Sequence, residues 1–321
     1  MGPGRVGVTL SPLGAPCARI AAAYHRMMQL NSLRYLLALE REKHFARAAE
    51  ACHVSQPSLS AGIAALEEQL GRRLVHRDRR FIGLTPEGLA VLPWARQIVA
   101  ALDGLRQAGD LAPGPLRGEL RLGVIPAALP VVGLLAAELR RRFPDVTLSI
   151  ASLTSREIAH RLQDHLLDAG VTYVAHEPPA SVIAIPLYRE QSMFVAAAPP
   201  DPGADGRVTW EAALAFPLCL LHQGMQNRRI LDANLADRGL AARPQATADS
   251  YVALLALVRS GAFATIIPDS YAPLLPGWAH MLAFADPVPA SAVGMIIPDR
   301  SPLTPMAAAA LALGKAIETD D

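Results

Sequence analysis

Residues 45–80, FARAAEACHVSQPSLSAGIAALEEQLGRRLVHRDRR, place the tightest limit on what this chain can become. Two short helical patterns meet there at a tight connection. Ala46, Ala48, Ala49 and Cys52 make a slim first helix against which another can pack closely. His53-Val54 supplies the turn, and Ser55 is placed to cap the next helix by accepting from its exposed N–H groups. Pro57 suits the first helical turn, where a missing N–H costs little. Leu59, Ile63, Leu66 and Leu70 then recur at helical steps and mark a buried face. The start of the same helix carries Ser55, Gln56, Pro57, Ser58 and Ser60, where a recognition helix meets base edges. The segment predicts a helix-turn-helix.

At these residues the sequence resembles the DNA-binding signature of the LysR-type transcriptional regulators. Matching positions are Ala48-Ala49, Val54-Ser55-Gln56-Pro57, Leu59-Ser60, Ile63, Leu66-Glu67, Leu70-Gly71, Leu74 and Arg77. So many matches at fixed spacing make a specific signal, unlike a single short motif. The resemblance implies double-stranded promoter DNA as a partner, a small metabolite or anion as effector, and a homodimer or homotetramer. RNA polymerase is a further partner that it allows.

Composition narrows the alternatives. A length of 321 residues suggests about two domains, and 51% hydrophobic content supports a sizeable core. No apolar run approaches the roughly 18 residues of a membrane span, so no membrane partner is expected. A net charge of +1 gives no global attraction to nucleic acid, so contact with DNA needs a local basic patch. Arg72, Arg73, Arg77, Arg79 and Arg80, against the single acid Asp78, form one. Arg34, on the preceding helix, is placed with Arg72, Arg77 and Arg79 as a phosphate contact. Cys17, Cys52 and Cys219 are far apart and show no CxxC spacing, which argues against zinc and a disulfide framework. Few cysteines fit a reducing cytoplasm. Only Cys219 falls in the C-terminal part, so a disulfide switch within that part is not expected.

Residues 1–27 are rich in Gly, Pro and Ala without a sustained period and read as a disordered extension, with Met27 or Met28 as the natural start. Pro12 and Pro16 interrupt the one apolar stretch that a signal peptide would need. Residues 28–87 are expected to form a winged helix-turn-helix, with the two-stranded wing between Leu74 and Leu84. Thr85-Pro86-Glu87-Gly88 opens a linker and dimerisation helix over 88–113, with Thr85 as cap and an acid in the first turn. Val91, Ala95, Ile98, Leu102 and Leu105 alternate steps of four and three, the pattern of a coiled-coil seam between two copies.

From residue 114 strands and helices alternate, which argues for open α/β sheets with ligand chemistry at strand ends. Two lobes are expected, the first over about 118–196 and 285–317, the second over about 197–284. The fold class is therefore an α+β two-part chain: an N-terminal winged helix-turn-helix with a long linker helix, then a C-terminal two-lobed α/β effector domain. The resemblance gives that domain the periplasmic-binding-protein-like architecture, with the effector between its lobes. Carried onto this chain, the effector positions are Pro126, Ala127, Thr154, Ser155, Gln226, Asn227 and Thr247. Helix starts there offer N–H groups to a carboxylate or other oxyanion, and Arg228 or Arg229 is near enough in sequence to neutralise one.

Two departures from the family pattern bear on the effector. Pro126-Ala127-Ala128 is apolar where Ser or Thr is common, and Gly261-Ala262-Phe263 replaces a Gly-x-Gly, with Phe263 able to fill pocket volume. LTSREI, LDAGVTY and MQNRRI resemble a subgroup of regulators found beside formate dehydrogenase genes, which implies formate or a similarly small anion.

Other functions find less support. No Gly-rich phosphate loop, GxSxG or HExxH points to an enzyme, and no cofactor is implied. His160 and His165 lie about 140° apart around a helix, so they share no face for a metal. A solute-binding receptor or α/β enzyme with an incidental helical front end leaves the arginine wing and the seam unexplained. A cytoplasmic regulator that controls a neighbouring promoter accounts for both.

Overall fold

The computed structural model describes residues 30–77, 81–109, 115–175, 177, 180–198 and 206–317. The expected extension over 1–27 and Arg79 lie outside these residues. The chain forms two compact units, residues 1–100 and 101–321. Among the described residues, no helix is long and apolar enough to cross a membrane.

In the first unit α1 (Leu30–Glu42), α2 (Phe45–Ala51) and α3 (Gln56–Leu70) pack into one core. Leu33, Leu36, Leu39, Leu59, Ile63 and Leu66 are fully buried there, with Ala48 and Ala49 as the small contact face of α2. The turn between α2 and α3 places His53 at φ 54°, and α3 ends at Gly71 in the left-handed region, φ 63°. An antiparallel wing follows, β1 (Val75–Arg77) paired with β2 (Phe81–Leu84). Glu67 ties the wing to α3: its Oε1 accepts from the N–H groups of Leu74 and Val75 at 2.9 and 3.1 Å. Thr85 then starts the long helix α4 (Pro86–Gly109), accepting from Gly88 N–H at 2.9 Å and donating to the Arg73 carbonyl at 2.7 Å.

The second unit holds two sheets joined by two crossings. The first sheet is five-stranded, in the order β4 (Val146–Ser152), β3 (Gly118–Val124), β5 (Ala169–Tyr173), β12 (Ser291–Pro298), β6 (Val182–Glu190). The second is three-stranded, with β7 (Ser192–Ala196) between β10 (Ala264–Pro268) and β11 (His280–Ala283). A parallel pair, β8 (Cys219–Leu221) and β9 (Ala246–Ala248), extends this lobe. Helices α5 (Val132–Arg142), α6 (Ser155–Gln163) and α10 (Pro305–Ile317) belong with the first sheet. Helices α7 (Trp210–Leu214), α8 (Gln226–Ala236) and α9 (Tyr251–Arg259) belong with the second. β5 and β10 are buried at every position, as strands covered on both faces are, whereas β3 is buried only toward its carboxyl end.

The crossing falls at Gln191, ahead of the expected boundary at 196. β7 pairs with β10 and β11, so it belongs to the second lobe. Its residues Phe194, Val195 and Ala196 are buried within that lobe's sheet, which explains why an apolar strand here could not be assigned to a lobe by its pattern.

Backbone packing sets one sharp limit in the first unit. A Cβ added at Gly88 would lie 2.1 Å from the Leu74 carbonyl oxygen, whereas one at Gly83 meets nothing within 4 Å. Gly88→Ala is expected to destabilise this unit by about 1–3 kcal/mol, through a forced shift of the helix start. Gly83→Ala serves as the control, and urea unfolding followed by circular dichroism compares the two.

Candidate functional site

Two regions gather the candidate functional residues, one in each unit. In the first, Ser55 caps α3 by accepting from Ser58 N–H at 3.3 Å, and its hydroxyl meets that of Ser58 at 2.8 Å. The cap fixes the helix start and leaves Ser55, Gln56, Pro57 and Ser58 exposed, while Ser60 is half-buried. The opposite face of the same helix is sealed in the core. Arg72 is exposed where the chain leaves α3, and Arg34 is half-buried on α1. Arg77 lies on β1, so the backbone of the wing carries it. The capped helix start presents exposed donors and acceptors, and Arg72 adds an exposed positive charge where the chain leaves the same helix.

The expected seam on α4 is only partly presented outward. Ala95 is fully buried and Val91 half-buried against the core of their own unit, together with Leu92 and Val99. Leu102 is half-buried, and Ile98 and Leu105 are exposed. The outward apolar line runs instead through Trp94, Ile98, Ala101 and Leu105, again at steps of four, three and four. Trp94 and Leu105 are 67% and 69% exposed, which makes this the unsatisfied face of the helix. Two interleaved 4-3 patterns occupy one helix, and only packing tells which is closed by the same chain.

In the second unit a cavity of about 230 Å³, mouth included, is lined by Ile125, Pro126, Ala127, Thr154, Ser155, Tyr173, Leu221, Met225, Gln226 and Asn227. Much of that space is open to solvent, so the room inside suits a ligand of few atoms. Strand ends and helix starts from both lobes converge on it. Six of the seven expected effector positions line it: Pro126, Ala127, Thr154, Ser155, Gln226 and Asn227. Thr247 does not: it is exposed at the centre of β9, paired with Leu220. A short strand ended later than its sequence suggested, so the residue expected at the strand's carboxyl end is inside it.

The polar groups of the cleft divide into occupied and open ones. Thr154 and Glu157 form a reciprocal capping box, with Thr154 N–H donating to Glu157 Oε2 at 2.8 Å and Glu157 N–H to Thr154 Oγ1 at 3.2 Å. The amino end of α8 has no side-chain cap, since Met225 occupies the cap position. Its first residues, Gln226 and Asn227, line the cleft, so the partial positive charge of the helix start lies at the cleft wall. The arginines expected to balance an anion are turned elsewhere. Arg228 donates to Asp232 Oδ1 at 2.8 Å and to the Leu221 carbonyl at 3.0 Å. Arg229 donates to the Gly224 carbonyl and Glu177 Oε2, both at 2.8 Å. Phe263 packs against the core and is not among the lining residues.

Behind the cleft stands a cluster that the sequence did not announce. Tyr173 Oη contacts Glu190 Oε1 at 2.5 Å and accepts from Asn227 Nδ2 at 2.7 Å. Tyr188 Oη approaches Glu190 Oε2 at 3.4 Å. Tyr271 donates to the Pro126 carbonyl at 2.7 Å, and its ring lies 4.7 Å from that of Tyr251. Glu190 is 4% exposed, and burial, reinforced by the like charge of Asp269, pushes its carboxyl up to about 8 against the Tyr173 and Tyr188 hydrogen bonds. Its carboxyl therefore keeps its proton to well above the ordinary carboxylate range. Tyr173 and Glu190 were legible only as strand residues; their meeting requires β5 and β6 to flank β12 in one sheet.

The described thiols are shielded. Cys219 is fully buried, its sulfur faces the Leu254 and Ala264 carbonyls at 3.7 and 3.5 Å, and burial raises its thiol to about 11. Cys52 is half-buried, and burial raises its thiol as well. Among the described residues no group of His, Cys, Asp and Glu is placed to hold a metal ion.

Because the folded pKa of Glu190 lies above its ordinary value of 4.5, the folded state binds more protons than the unfolded one between about 4.5 and about 8. Stability contributed by this residue is then full below 4.5 and falls as pH rises through that window. Glu190→Gln should remove this component. Thermal melts of both proteins against pH should give a difference curve that slopes across the window and is level outside it.

Comparison with known proteins places both regions in one family. Residues 30–89 match the family model for the bacterial regulatory helix-turn-helix protein, lysR family, and residues 113–316 match the LysR substrate binding domain. A probable hydrogen peroxide-inducible genes activator of Mycobacterium avium is 34% identical over 270 residues, covering 82% of this chain and 86% of that protein. The structure of full-length OxyR from Pseudomonas aeruginosa, a single-site variant, superposes with a TM-score of 0.73 at 27% identity, covering 92% of this chain and 99% of that one. CbnR in complex with its target DNA shares the fold, with a TM-score of 0.63 at 22% identity, covering 90% of this chain and all of that one. The chain belongs to the LysR family and is a LysR-type DNA-binding transcriptional regulator.

Proposed function

We propose that this regulator reads promoter DNA with the amino end of α3, assembles through the outward stripe of α4, and answers to a small anion held between its two lobes. Exposure of Gln56, Pro57 and Ser58 on a helix whose other face is sealed supports the first part and carries the reading. Gln56 is the base-reading residue, since an amide can pair with adenine through a donor and an acceptor. Arg34, Arg72, Arg77 and Arg79 act on phosphates, which position the protein without reading sequence.

Trp94, Ile98, Ala101 and Leu105 support assembly: a helical line of apolar groups at these steps is completed by the same line on a second copy. Two copies bring two recognition helices to a partly palindromic operator. Ala95 and Val91 act in the monomer core instead.

The effector is proposed to sit on the uncapped start of α8, between Ser155, Tyr173 and Asn227. The small cavity and the open N–H groups favour a compact anion, of the size of formate. Several relatives' names speak of hydrogen peroxide, whose sensing through a thiol runs on a thiolate with solvent access. Cys219 meets neither condition, so a reading that does not use that thiol is favoured.

Gel-shift titrations on the DNA upstream of the gene and on scrambled DNA test the contacts. Gln56→Ala should lose about 1–3 kcal/mol on operator and little on scrambled sequence. Arg72→Ala should weaken both alike and reduce the salt slope by about one unit. Equal loss on both for Gln56→Ala sinks its role. Trp94→Asp should shift the assembly toward monomer in sedimentation velocity, whereas Ala95→Asp should unfold the first unit without a stable monomer.

A further inference from the structure

The hydroxyl of Tyr173 has two polar partners and one position left over. A phenol has one proton to give and two lone pairs to offer. One lone pair accepts from Asn227 Nδ2 at 2.7 Å, and the contact with Glu190 Oε1 at 2.5 Å can run in either direction. If Glu190 is ionised, it can only accept, so Tyr173 must donate to it and turns a lone pair toward the cleft. If Glu190 is protonated, it can donate to Tyr173, whose own proton is then free to point into the cleft. We propose that Glu190 decides whether Tyr173 offers the effector a proton or a lone pair, and so couples binding of a small anion to uptake of one proton. This inference rests on the reading of the cleft as the effector site.

The surroundings of Glu190 favour such a role. It is the last residue of β6, at the crossing into the second lobe, and is 4% exposed. Tyr173 faces it from β5, Tyr188 from β6 itself, Tyr251 from α9, and Asp269 and Tyr271 from the turn that follows β10. The charged neighbour that acts on it is thus a like-charged one, and a carboxylate there gains stability only from hydroxyl donors. Tyr251 Oη is buried and has no hydrogen-bond partner, so a donor stands in reserve for the ionised form. Burial holds the carboxyl at about 8, where modest changes in its surroundings alter its protonation near neutral pH.

An anion at the start of α8 meets Asn227, which bonds Tyr173, which bonds Glu190. It repels an ionised Glu190 and accepts the proton that a neutral Glu190 frees on Tyr173. Both effects have the same sign. The anion raises the proton affinity of Glu190, and by linkage the proton raises the affinity for the anion. The three residues come from both lobes, so the same proton also bears on the hydrogen bond that joins them.

Isothermal titration of the full chain with sodium formate, and separately with sodium nitrate, tests the idea between about pH 6 and about pH 9.5 in buffers of differing ionisation enthalpy. Affinity for both anions should be level at low pH and fall about tenfold per pH unit above about 8, with up to one proton taken up per anion. Glu190→Gln keeps a donor on Tyr173 at every pH, so its binding should persist and lose the slope. Tyr173→Phe should weaken binding at least tenfold at low pH and leave little pH dependence. Infrared difference spectra of the unliganded protein supply an independent reading: the carbonyl band of a protonated carboxyl should vanish with rising pH and be missing in Glu190→Gln. Binding with no slope, a slope that survives in Glu190→Gln, or an unchanged carboxyl band overturns the role of Glu190 alone. If neither anion binds at any pH while the carboxyl band behaves as described, the anion reading of the cleft falls, and this inference falls with it.

Discussion

A serine oxygen accepting one backbone N–H decides where α3 begins, and the orientation of the whole first unit follows from that start. Because Ser55 stops the preceding turn and caps the helix, Leu59, Ile63 and Leu66 meet the small face of α2. Gln56, Pro57 and Ser58 are left exposed on the other side. A start shifted by one residue would rotate the helix by about 100° and turn polar groups inward, at a cost no core of this size absorbs. Glu67 and Thr85 extend the same logic. Each uses a side-chain oxygen to satisfy backbone N–H groups that would otherwise be unpaired, and so locks the wing and the long helix to α3.

The second unit uses helix starts in the opposite sense. α6 closes its own amino end with Thr154 and Glu157, while α8 presents an uncapped one. Two helix starts of like geometry in one cleft thus differ in what they can bind. The closed one holds its shape without a ligand; the open one retains N–H groups for an outside acceptor. Between them, Tyr173 and Asn227 link the lobes directly. A ligand can shift the relation between lobes only through a difference in affinity for the two arrangements, and these are the groups able to express such a difference.

Periodicity and capping chemistry were legible in the chain. The helix-turn-helix, the wing and the alternation of strand and helix follow from local patterns, because each depends on residues close in sequence, whereas most of the cleft lining was implied by the family resemblance. The seam shows where that stops. Val91, Ala95, Ile98, Leu102 and Leu105 and the line Trp94, Ile98, Ala101 and Leu105 satisfy the same heptad rule. Burial of Ala95 against Leu92, Val99 and the first three helices separates them. Thr247 and the strand β7 show the same limit at strand ends, where a shift of one residue changes face and a shift of a few changes sheet.

What the sequence by itself determined is the set of elements, the outward polar start of α3 and the family, since a capped helix with fixed apolar spacing is a local property of the chain. What only the tertiary structure decided is which apolar face remains open, which arginines are already spent on Asp232, Glu177 and carbonyl oxygens, and that Glu190 meets Tyr173 in a buried setting. These depend on distances between strands and helices far apart in sequence. A titratable group takes its proton affinity from everything packed around it, and no stretch of residues carries that information alone.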